Sequence, residues 1–122
     1  MPDPPSMSTS INGFYGVYLT GSAAQGFAMC VFRNGEIVGV DVAGVKYDGT
    51  YNPTSDGFSV KLKISVPPKT WLVQGVTTGP QEETSQLEFQ LPTDFLTRPF
   101  IRIPAAHGPV NAKITKLREL ND

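Results

Sequence analysis

The segment Val60-Lys61-Leu62-Lys63-Ile64-Ser65-Val66 alternates apolar and polar side chains without a break. Period two fits a pleated strand, in which successive side chains point to opposite faces. A helix would scatter the same apolar residues around its circumference. One face of this segment is therefore buried and the other wet. The pattern recurs in Leu87-Glu88-Phe89-Gln90-Leu91, in Ile101-Arg102-Ile103 and, less cleanly, in Val110-Asn111-Ala112-Lys113-Ile114-Thr115. β-Branched and aromatic residues in such runs predict half-exposed antiparallel strands.

Turn residues punctuate these runs. Asn34-Gly35, between FAMCVF (27–32) and EIVGV (36–40), predicts a two-residue type I′ hairpin in which both central residues have positive φ. Asp48-Gly49 and Asp56-Gly57 read as further turns, and Pro67-Pro68, Gly79-Pro80 and Gly108-Pro109 end runs. The spacing predicts strands at 12–20, 25–33, 36–43, 45–51, 57–66, 70–77, 84–91 and 99–104, with a ninth at 110–118. One helical turn is predicted over Pro92–Leu96, capped by Thr93 or Asp94. The expected fold is all-β: a small up-and-down antiparallel β-barrel of about eight strands. It forms a single domain over residues 12–122, behind a flexible leader at 1–11 that is rich in proline and serine.

Composition narrows the function classes. At 122 residues and 39% hydrophobic, the chain has enough apolar material for one compact core. Net charge is −1 and the ten Lys and Arg are scattered, so no basic footprint for nucleic acid is present. No apolar run reaches the length of a membrane helix, and MPDPPSMSTS (1–10) lacks the charge and apolar core of a signal peptide. A cytoplasmic protein without a membrane partner is expected. The single cysteine, Cys30, excludes an internal disulfide and reads as a small buried hydrophobe.

Residues of catalytic type do not assemble into a set. His107, the one histidine, lies in the turn PAAHGP (104–109) and reads as a surface loop residue; a zinc site would lack ligands. Asp48 and Asp56 precede glycines, where a carboxylate serves turn geometry. Asp41 interrupts VGVDV (38–42) in phase with the polar positions, which predicts an outward side chain; Glu82 and Glu83 complete the candidate acids. No nucleophile elbow or phosphate-binding glycine loop is present. No enzymatic activity, cofactor or metal is expected. The aromatics Phe14, Tyr15, Tyr18, Phe27, Phe32, Tyr47, Tyr51, Phe58, Trp71 and Phe89 either fill the core or line a cavity.

Order and spacing add a resemblance over residues 12–118. The strand GFYGVY (13–18), the hairpin on Asn34-Gly35 and the run from Gly39 through YDGTY (47–51) come first. FSVKLKI (58–64), LEFQLPTDF (87–95) and VNAKITKL (110–117) follow. Together they resemble the GrlR-type negative regulators of bacterial type III secretion. The resemblance implies a lipocalin-like barrel that forms a homodimer, lacks enzymatic activity and sequesters a transcriptional activator protein. Its partner-binding loop corresponds to Asn52, Thr54, Ser55 and Asp56, here with one acid in place of an acidic run. Phe95, Leu96 and Phe100 are the exposed apolar candidates for a dimer contact.

Two functional readings follow. One is a regulatory protein-binding barrel; the other is a calycin-like carrier of a small apolar or lipid ligand in the barrel cavity. The filling of the interior discriminates them, because small residues opposite large ones leave space.

Overall fold

The computed structural model describes residues 11–120, so most of the expected leader lies outside the described residues. Eight strands follow one another as β1 (Gly13–Thr20), β2 (Gln25–Arg33), β3 (Glu36–Asp41) and β4 (Lys46–Thr54), then β5 (Gly57–Val66), β6 (Glu83–Pro92), β7 (Ile101–Ile103) and β8 (Val110–Glu119). All pairings are antiparallel, in the spatial order β6-β5-β4-β3-β2-β1-β8-β7. The sheet curls into a nearly closed up-and-down barrel with one seam, between β6 and β7, that no backbone ladder crosses. No helix occurs among the described residues, so none is long and apolar enough to cross a membrane.

The hairpin on Asn34-Gly35 forms as its chemistry requires. Asn34 has φ 49° and Gly35 φ 87°, the two positive values of a type I′ turn. The turn is tied down from outside: Asn34 N–H donates to Asn12 Oδ1 at 2.9 Å, and Tyr51 Oη donates to the same oxygen at 3.1 Å. Tyr51 N–H in turn donates to the Gly35 carbonyl at 2.9 Å.

The core fills one end of the barrel. Tyr15, Phe32, Tyr51, Phe58 and Phe95 make a ring of aromatic contacts with centroid separations of 4.8, 5.3, 6.1, 6.2 and 6.2 Å, the last returning from Phe95 to Tyr15. Ile37, Val60, Leu91, Ile101 and Ile114 pack around them, and Ile11 packs against the cluster. Phe95, expected on the surface, is 2% exposed. The segment Pro92–Thr97 is a pair of tight turns, with Phe95 N–H donating to the Pro92 carbonyl and Thr97 N–H to the Asp94 carbonyl. They swing the ring inward across the seam.

Three further expectations are corrected. Asp48-Gly49 is no turn: Asp48 pairs with Val38 and Lys63, and Gly49 with Ile37 and Leu62, in the middle of β4. Glycine is required there because a Cβ would stand 2.0 Å from the Lys61 carbonyl oxygen. Residues 70–77 form no strand of the sheet. They make a small flap with one bridge, Trp71 to Thr77, around a turn in which Gly75 N–H donates to the Leu72 carbonyl. Finally β7 is three residues long, bracketed by Pro99 and Pro104, which cannot donate to a ladder.

Two stability outcomes are expected. Gly35→Val forces a β-branched residue to positive φ and should cost about 1 kcal/mol or more, read as a lower urea midpoint. Phe95→Ala removes one ring of five and should cost about 3–5 kcal/mol, as for other buried aromatics.

Candidate functional site

The two barrel ends differ in what the strands point inward. Where β1 starts and β2 meets β3, the inward residues are the five-ring cluster and its aliphatic surround. Toward the other end most become aliphatic or small. Leu19 lies across from Gly26 on one side and Ala112 on the other, and β5 contributes Leu62, Ile64 and Val66. Small residues opposite large ones leave the upper barrel unfilled. The result is a cavity of about 320 Å³, walled by residues that include Leu62, Ile64, Leu87, Ile103 and Val110.

Four connections ring its mouth: residues 21–24, 42–45, 67–82 and 104–109. The longest carries the flap. Buried Thr78 fixes its base, donating through Oγ1 to the Pro67 carbonyl and accepting from Thr70 N–H, both at 2.8 Å. The flap tip reaches the β1–β2 connection, where the Val73 carbonyl accepts from Ala23 N–H at 2.9 Å and Ala24 N–H at 3.1 Å. Gln74 Nε2 donates to the Gly108 carbonyl at 3.3 Å and ties the flap to the β7–β8 connection.

Few polar groups reach the wall. Asp41, expected to face outward, turns in at the end of β3 and lines the cavity. Its Oδ1 accepts from Ala43 N–H at 2.9 Å and Val45 N–H at 3.0 Å, holding the β3–β4 turn. Its Oδ2 accepts from Tyr47 Oη at 3.0 Å. Burial, with the Asp41 carboxylate beside it, pushes the Tyr47 phenol far up, so that it stays protonated and donates. The inward phase follows from the hairpin register: Phe32 pairs with Ile37, Cys30 with Gly39 and Ala28 with Asp41. Each pair shares a face, and the first residues of all three are buried.

His107 is likewise no free surface residue. Its Nε2 meets Glu83 Oε2, joining the β7–β8 connection to the first residue of β6, and both residues line the cavity. The contact spans the seam that the backbone leaves open. Among the described residues no three His, Cys, Asp or Glu gather as metal ligands.

The positions expected to bind a partner lie elsewhere. Asn52, Thr54, Ser55 and Asp56 are exposed at the β4–β5 hairpin, at the packed end of the barrel, where Thr54 Oγ1 accepts from Gln90 Nε2 at 2.6 Å. Leu96 is 36% and Phe100 51% exposed, whereas Phe95 belongs to the core. A different apolar surface escaped sequence reading. Tyr18, Met29, Val38, Val40 and Leu117 are exposed on the outer face of β1, β2, β3 and β8, with Met29 directly opposite Val40. Its signal was present in VGVDV, whose valines turn out once Asp41 turns in.

No protein-family model, curated protein or solved structure matches the chain.

Cys30 offers a check on this interior. Burial raises its thiol to about 11. A raised folded-state value means that stability is complete below the unfolded value and is lost as pH rises through the folded one. At about pH 9, where an exposed thiol is largely ionised, native protein should react with iodoacetamide far more slowly than urea-unfolded protein. Equal rates would place Cys30 in contact with solvent.

Proposed function

We propose that this protein binds a small apolar molecule in the open half of its barrel. The observation that carries the reading is the uneven filling of the interior. Ligand sites are concave, mostly apolar and of about 300–1,000 Å³, and the cavity meets each criterion at the small end of the range. Eight-stranded barrels are wide enough to hold one such molecule. The flap and its hydrogen bonds to neighbouring connections supply a cover. No chemistry of the protein's own is part of this reading, and a lone reduced thiol goes with a cytoplasmic setting.

Native mass spectrometry of protein purified without denaturant tests it. A retained small-molecule mass is expected, and it should be lost from Ile64→Phe, which places a larger ring in the cavity while keeping the wall apolar. Adduct-free wild-type protein that also fails to take up the neutral probe N-phenyl-1-naphthylamine would overturn the reading.

A second reading is favoured by the outer apolar strip. Contiguous exposed apolar residues mark protein-contact surfaces, and the resemblance to GrlR-type regulators supports a homodimer that engages a regulatory protein. In this reading Met29, Val38 and Val40 form the dimer contact and the Asn52–Gly57 hairpin is the partner surface. Sedimentation at micromolar concentration should give the dimer mass for wild type and the monomer mass for Val38→Lys/Val40→Lys.

A further inference from the structure

The ionisable side chains on the wall of the cavity that the ligand reading rests on are two carboxylates, the Tyr47 phenol and one imidazole, His107. The carboxylates are Asp41 from the end of β3 and Glu83 from the start of β6, and neither lysine nor arginine lines the cavity. The groups facing the carboxylates are hydrogen-bond donors already in place: Tyr47 to Asp41 and His107 to Glu83. A carboxylate has about four acceptor sites, and Asp41 uses three, two for backbone N–H groups and one for Tyr47. Acceptor capacity therefore remains on the wall of a mostly apolar cavity, lined by aliphatic side chains with Phe27 and Trp71 and by few other polar groups.

A ligand's charge matters here, because displacing water from the wall strengthens each electrostatic contact, least at the partly exposed Glu83. A fatty-acid carboxylate would be desolvated beside two like charges with no Lys or Arg to pair it, which is strongly unfavourable. A protonated amine on an apolar chain meets the opposite situation. We infer that the cavity takes an apolar molecule bearing a protonated amine at one end, and that it discriminates against fatty acids of the same length. Leu62, Ile64 and Leu87 cover the chain, and Asp41 or Glu83 accepts from the ammonium.

Calorimetric titration of the full chain near pH 7 with decylamine, decanol and decanoate separates head group from chain. Decylamine is protonated there, as a lysine side chain is. It should bind at least about tenfold more tightly than decanol, the worth of a charge-assisted hydrogen bond, with decanoate weakest. Asp41→Asn/Glu83→Gln should bring decylamine down toward the affinity of decanol and change decanol far less. Glu83→Gln alone keeps the β3–β4 turn intact and should give part of the loss. Decanoate binding as tightly as decylamine would overturn the head-group assignment while leaving the cavity as a ligand site. Absence of binding by all three, or equal binding by Ile64→Phe, would overturn the ligand site itself.

Discussion

Five aromatic rings hold this barrel closed where its backbone does not. Tyr15, Phe32, Tyr51 and Phe58 come from β1, β2, β4 and β5, and Phe95 comes from the turn that links the two sides of the seam. The Phe95 to Tyr15 contact completes the circuit. Each tilted or edge-on pair adds about 0.5–1.5 kcal/mol beyond its burial. The geometry also fixes which residues can lie above the rings. Once the plug occupies one end, most inward positions further along carry aliphatic or small side chains, and the cavity is what they fail to fill.

The polar groups at that cavity have two duties each. Asp41 holds a turn with one oxygen and receives the Tyr47 hydroxyl with the other. Glu83 and His107 bridge the seam and stand on the cavity wall. Structural need explains why such side chains tolerate partial burial, and their position on the wall puts the same groups in reach of the proposed ligand. In the proposed ligand reading, recognition and closure of the barrel share residues at this end.

Strand character was legible wherever the period of two was unbroken, as in Val60–Val66, and the Asn34-Gly35 turn was legible from its φ requirement alone. The phase of β3 was legible too, but only by counting from that turn. A two-residue hairpin sets Phe32 against Ile37, and Asp41 then falls on the face of Ala28. Reading VGVDV by polarity alone inverted it. Phe95 and His107 were out of reach, since both sit in turns, where no period governs side-chain direction. Their orientations depend on partners distant in sequence, such as Glu83, 24 residues from His107. Residues 70–77 carry strand-like composition, but they fold over the mouth with no neighbouring strand to pair with.

The seam makes this molecule a C-shaped spring rather than a tube. Around most of its girth the spacing of neighbouring strands is set by backbone ladders, which stretch little. Between β6 and β7, among the described residues, side chains take the place of a ladder: the buried Phe95 ring at one end, and at the other the His107–Glu83 contact with the Gln74 bond to Gly108. Strain applied from inside therefore concentrates at a single line. The ring end resists it through close packing, while the far end resists through a few polar contacts of partly exposed side chains. Parting the strands at that end would cost the His107–Glu83 contact and the Gln74 bond to Gly108, but no ladder hydrogen bond.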